Sequence, residues 1–223
     1  MNILSTRLLA FLLIPLLMLE VSHAAINEDI AAAQSVIEQT SQQVVAIAKD
    51  AKSYIEQDRD QYYQKIGKAL LPVVQYDYFS RGVMGYLASD RYINSLPADK
   101  RAQAKQDVID FSNTLPDTLI RSYGNTFLQY ADSTLSIQSA EFIGQSKKVS
   151  VVQQVIDKQQ QKYLIRYNMA NIQGNWKIQN FIVEGINMGQ SYRAQFTSAL
   201  ETYKGDVSAV IENWQEIKNK DGK

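Results

Sequence analysis

Two carboxylates and two guanidinium groups stand beside the most distinctive stretches of the chain, and any chemistry has to be sought there first. Asp77 and Arg81 lie in QYDYFSRGVMGY, Glu184 closes WKIQNFIVEG, and Arg193 follows in the next segment. A single acid in an apolar pocket can act as a general base, as in a steroid-isomerase-like enzyme. An arginine fork at a pocket mouth can grip a phosphate. Each also has a plainer reading. Glu184 suits a structural acid at a strand-to-turn junction, and the arginines suit surface ion pairs. Neither acid has a partner at a spacing that builds a catalytic pair, so no catalytic residue is assigned.

Other chemistry is excluded by residue type. The chain has no cysteine and one histidine, His23. His23 falls in a leader-like segment: Arg7, then the apolar run Leu8 to Leu19 broken by Pro15, then Ser22-His23-Ala24 with small residues where a signal peptidase reads. Cleavage is expected after Ala24, giving a leader over 1–24 and one domain over 25–223. The run is short for a membrane span, and no lipidation cysteine follows it. Without thiolate or imidazole, the usual transition-metal sites, Cys-His and Ser-His catalysis and disulfides are closed, and no metal ligand is assigned. Arg7 and Glu20 leave with the leader, so 23 charges of each sign become 22. A balanced chain without a basic block is not a nucleic-acid binder by bulk attraction.

The elements that must position any site read in two halves. Ile30 to about Gln57 carries an alanine-rich apolar stripe at helical spacing, and a second helix runs from Arg59 to Leu71, stopped by Pro72. A third helical piece spans Asp77 to Ser89. Ser95, Pro97 and Asp99 read as the start of a long helix, with Ser95 as the capping hydroxyl. Its stripe is Ala104, Val108, Phe111, Leu115, Leu119, Tyr123 and Phe127, continuing past Pro116 with a kink. After Asp132 the period falls to two. Leu135–Ile143, Lys148–Ile156, Gln161–Ile172 and Asn175–Glu184 read as four strands of an antiparallel meander. Val149, Val151 and Val155 share one face of the second strand; Tyr163, Ile165, Tyr167 and Met169 share one face of the third. In the fourth, alternation puts Trp176, Ile178 and Ile182 on one face and Lys177, Gln179, Phe181 and Val183 on the other. Gly185 and Gly189 bracket a turn into a helix with the stripe Tyr192, Phe196, Leu200 and Tyr203. A last stripe runs Val207, Val210, Ile211, Trp214 and Ile217. The fold class is α+β: a four-stranded twisted antiparallel sheet with helices over one face.

LLPVVQYDYFSRGVMGYL from Leu70, the long helix after LPADKR, and NWKIQNFIVEGINMGQSYRAQF from Asn175 together resemble the MlaC family of periplasmic phospholipid-binding proteins, also called toluene-tolerance proteins. The resemblance runs from about residue 30 to about residue 217. It implies a soluble, monomeric periplasmic carrier, not an enzyme, holding a phospholipid by its acyl chains in a cavity between sheet and helices. The cargo is the lipid itself, with no cofactor. Its partners would be an outer-membrane lipoprotein complex and an inner-membrane ABC transporter with an MCE-domain subunit, and its role the maintenance of outer-membrane lipid asymmetry.

Elementary energetics point to the same class. A diacyl lipid in water exposes on the order of 30 methylenes at about 0.8 kcal/mol each, roughly 24 kcal/mol, so transfer between membranes needs a dry carrier. Candidate lining residues are Val74, Phe79, Val83, Met84, Phe111 and Leu119 on the helices and Val151, Ile165, Tyr167, Met169, Ile178 and Ile182 on the sheet. Ordinary core packing is the competing reading for every one of them. Gly82, Gly85, Gly185 and Gly189 are candidate hinges. Two other classes remain open from the residues alone: a small-pocket periplasmic enzyme, and a module that binds protein partners.

Overall fold

The computed structural model describes residues 14–216, with side chains from Asn27 onward. Most of the expected leader, and Ile217 with the lysine-rich tail, lie outside the described residues. So do the side chains around the expected cleavage after Ala24.

The helical half comes first. α1 (Ile14–Ala51) packs through alanines, with Ala33, Ala48 and Ala51 fully buried, so its backbone can approach other elements closely. It stops six residues short of the expected Gln57. Ser53 Oγ donates to the Asp50 carbonyl oxygen at 2.8 Å, an alternative to helix propagation, and Asp58 then caps α2 (Arg59–Leu70) by accepting from the Gln61 N–H at 2.9 Å. α3 (Tyr76–Met84) is cut off from the 3-10 turn Gly85–Ala88 by Gly85, whose φ of +62° lies in the left-handed region. The single piece expected over Asp77–Ser89 is therefore two.

A six-residue helix, α4 (Asp90–Ser95), was too short to show as periodicity in the sequence. Ser89 caps it, accepting from the Tyr92 N–H. Ser95 is not the cap expected of it: its Oγ donates backward to the Tyr92 carbonyl oxygen at 2.6 Å and finishes α4. α5 (Ala98–Gln129) starts at Pro97 without a side-chain cap and runs unbroken through Pro116.

The sheet half is a meander, β1 (Thr134–Phe142), β2 (Lys148–Ile156), β3 (Lys162–Ile172), β4 (Asn175–Val183) and β5 (Ile186–Asn187), hydrogen-bonded in that order. β5 is the strand missing from the four-stranded expectation. It is two residues long and hidden in the Gly185 turn. Beside it on the β4 edge, Gln75 N–H donates to the Ile178 carbonyl oxygen and Ile178 N–H donates to that of Val73, so the α2–α3 link pairs with the edge at Ile178. α6 (Met188–Thr202) and α7 (Val207–Glu212) close the chain.

The buried apolar side chains form three clusters, not one continuous core. The first is helical, joining α3 to α7 around Phe79, Val83, Phe111, Phe196 and Trp214. In the second, Ala33 and Ile37 of α1 seal Val149, Val151, Met169, Trp176 and Ile178 of the sheet. The third holds α1, α2 and α5 together through Ala48, Tyr62, Ile66 and Ile120.

Candidate functional site: the sheet floor between two clusters

Pairing across the strands fixes which side chains share a face. Val149, Val151, Gln153 and Val155 of β2 stand opposite Met169, Tyr167, Ile165 and Tyr163 of β3, as their alternation predicts. β4 departs from simple alternation. Met169 pairs with Ile178 but Asn168 pairs with Asn180, so Gln179 is an extra residue in a β-bulge. One inserted residue reverses the parity of everything beyond it. Tyr167 therefore shares the floor face with Phe181, and Ile165 shares it with Val183, while Ile182 is paired with Arg166 on the other face. The expectation that Ile182 shares a face with Ile178 is corrected, and Phe181 and Val183 take its place on the floor. A second bulge in β1, at Gln138, keeps Ile137 and Ala140 on that same floor.

The floor has a sealed end and an accessible end. Val149, Val151 and Met169 are fully buried under α1, and Ile178 nearly so. Ile165, Tyr167, Phe181 and Val183 keep accessible surface. Phe181 stacks on Phe79 of α3 at 6.0 Å and meets Tyr123 of α5 edge-on at 6.3 Å. Val74 belongs to both the helical and the α1–sheet clusters. Tyr167 combines some accessible surface with a phenol whose pKa is pushed well up by desolvation, an environment remote from bulk water. Tyr123 is shifted upward for the same reason.

The other expected lining residues split between clusters. Phe79, Val83, Met84, Phe111 and Leu119 are all buried in the helical cluster. Val151, Met169 and Ile178 are in the α1–sheet cluster, with Tyr167 packed against it. Two grooves open at the surface, one of about 540 Å³ between α1 and β1 and one of about 470 Å³ between α5 and α7, and neither is lined by the expected residues.

The polar candidates have structural partners. Glu184 is exposed, sits at φ +49°, and accepts from the Leu164 N–H where β3 and β4 part. Asp77 is exposed in the first turn of α3, away from the floor. Arg81 Nη1 donates to the Ala88 carbonyl oxygen at 3.0 Å, and Arg193 Nε to that of Gly82 at 2.7 Å. Neither arginine has a salt-bridge partner among the described residues. Among the described residues, no group of three or more His, Cys, Asp or Glu could hold a metal ion, and no helix is long and apolar enough to cross a membrane. The residue that the sequence reading passed over is Gln153. Its signal was present: a glutamine in an inward row otherwise made of valine.

The family model described as MlaC protein aligns with residues 38–216. The chain belongs to the MlaC family. The toluene tolerance protein ttg2D of Pseudomonas putida is 26% identical over 179 residues, covering 80% of this chain and 78% of that relative. Among solved structures, the phospholipid-binding protein from Ralstonia solanacearum, determined in complex with a phospholipid, superposes with a TM-score of 0.65. It is 16% identical, and the match covers 86% of this chain and 99% of that one, which makes it a likeness of fold.

Proposed function

We propose that this member of the MlaC family binds a phospholipid by its acyl chains over the Ile165–Tyr167–Phe181–Val183 floor and carries it through the periplasm. The observation that carries this reading is the partly accessible apolar floor between the helical and the α1–sheet clusters, in a fold like that of a protein solved with a phospholipid. Acyl chains can be buried there without meeting a charge. Val74 and Phe79 border the same region, whereas Val151 and Met169 become available only if α1 lifts from the sheet. The lipid is cargo, and the chain acts as a carrier and not as an enzyme. It is exported by a leader ending at Ala24 and works as a monomer. It exchanges lipid with an outer-membrane lipoprotein complex and an inner-membrane ABC transporter carrying an MCE-domain subunit, which maintains outer-membrane lipid asymmetry.

Native mass spectrometry of protein purified from a membrane-containing host tests the reading. A phospholipid retained at about one per chain is expected. Delipidated protein with no affinity for diacyl lipid would overturn it. Intact mass of the secreted protein separately checks the start at Ala25.

A further inference from the structure

Gln153 occupies an inward position between Val151 and Val155, yet it is only 3% exposed. Its Oε1 accepts twice, from Ser41 Oγ of α1 at 3.1 Å and from the Tyr167 hydroxyl at 3.2 Å. Two hydroxyl donors on one oxygen favour this orientation of the amide. The reverse orientation would require both hydroxyls to accept, leaving their own hydrogens to find partners elsewhere. Nε2 is thus left as the donor end, and among the described residues no acceptor reaches it. Nε2 is not among the polar atoms sealed from solvent without a partner, so this donor keeps access to solvent and to a ligand.

The same side chain forms part of the α1–β1 groove of about 540 Å³, where Leu135 and Ile137 stand beside the polar Gln42, Ser133 and Ser136 and the carboxylate of Glu38. Lys49, the lysine of that groove, is exposed. A neutral donor in a groove that also holds the Glu38 carboxylate and no buried cation suits a neutral acceptor oxygen better than a phosphate, whose charge would need compensation.

We propose that Gln153 Nε2 donates to an ester carbonyl oxygen of the bound lipid. The glycerol-ester region then lies in the α1–β1 groove, with Ser41 and Tyr167 holding the amide in orientation. This rests on the phospholipid reading and adds the part of the lipid that is recognised. Gln153 is a specificity residue here, and Ser41 and Tyr167 are positioning residues.

The test compares ester with ether. Delipidated wild-type protein is loaded from vesicles containing equal amounts of dipalmitoyl phosphatidylglycerol and its dihexadecyl ether analogue, which lacks only the two ester carbonyls. Occupancy of each is read by native mass spectrometry. A preference of about fivefold for the ester is expected from one hydrogen bond. Gln153→Glu keeps an oxygen for Ser41 and Tyr167 but removes the donor, and Gln153→Met removes both. Each should bring the ratio to about one while ether binding persists. Equal uptake of ester and ether by the wild type overturns the contact without touching the carrier reading, and needs no variant. Equal loss of both lipids in the variants also overturns it, pointing to the phosphate or to structure. Uptake of neither lipid by the wild type overturns the carrier reading and this contact with it.

Discussion

Arg193 Nε donates to the carbonyl oxygen of Gly82 at 2.7 Å, tying α6 to the last turn of α3. The guanidinium lies against Gly85, where an added Cβ would sit 3.5 Å from Nε. Gly85 is also where α3 breaks, so one side chain spans the break and the helix that follows the sheet. If lipid leaves by a parting of these helices, the bond is a latch. Arg193→Met keeps the stem over Gly85 and removes the donor. It should raise the rate of lipid transfer to acceptor vesicles about fivefold, for the loss of a bond contributing about 1 kcal/mol. A lowered thermal midpoint with an unchanged transfer rate would show the contact to be structural only.

Asp132 joins distant parts of the chain. Its carboxylate meets Lys158 of the β2–β3 turn at 2.6 Å and Lys52 after α1 at 2.5 Å. Hydrogen bonds from Lys158 and then Lys52 lower its pKa from 3.8 to about 2. A depressed carboxylate contributes stability that is present above its unfolded pKa and lost as pH falls through the folded value. The contribution should therefore disappear between about pH 4 and pH 2. Thermal midpoints across that range should converge for wild type and Asp132→Asn, with the difference between them confined to higher pH. The site is open to solvent, so the effect should shrink in high salt.

Gly124 lets α5 lie directly on α2. A Cβ there would be 2.6 Å from Tyr63 Cε1, and the Tyr62 hydroxyl donates to the Gly124 carbonyl oxygen at 2.8 Å, which limits retreat. Gly124→Val should cost about 1–3 kcal/mol through overpacking, more than its small gain in helix propensity. Adding Tyr63→Ala should recover part of the loss, giving a non-additive double-mutant cycle in denaturant melts. Additive losses would mean that Tyr63 is not the obstruction.

Where the sequence was legible, periodicity carried the information. The inward sets of β2 and β3 and the stripe of α5 follow directly from spacing, because long regular elements repeat their environment. Spacing fails where a single residue breaks the repeat. Gln179 is an extra residue in an otherwise alternating run, and only its pairing with β3 reveals that Phe181, not Ile182, faces inward. Ser95 and Ser89 are both plausible caps by type, and only the hydrogen bonds tell that Ser89 begins a helix and Ser95 ends one. Gly189 resembled a hinge, but it is a close approach: a Cβ there would be 2.8 Å from Asn180 Oδ1, which already accepts from the Gly189 N–H. Composition could not separate lining from core, since both are apolar; that distinction rests on how the clusters divide.

That division gives a paired prediction. Val83 is 1% exposed inside the helical cluster, whereas Phe181 keeps accessible surface between that cluster and the sheet floor. An unpaired carboxylate at Val83 has no route to water and should cost several kcal/mol, unfolding the protein or lowering its midpoint sharply. At Phe181 the carboxylate would border the accessible floor, so the fold should survive while the lining loses its apolar character. Phe181→Asp should thus retain near-native circular dichroism and lose co-purifying lipid, and Val83→Asp should lose the fold. Ile182→Asp, on the opposite face beside Arg166, should keep both. Lipid retained at wild-type occupancy in folded Phe181→Asp, or lost selectively in folded Ile182→Asp, would place the lipid against the other face of β4.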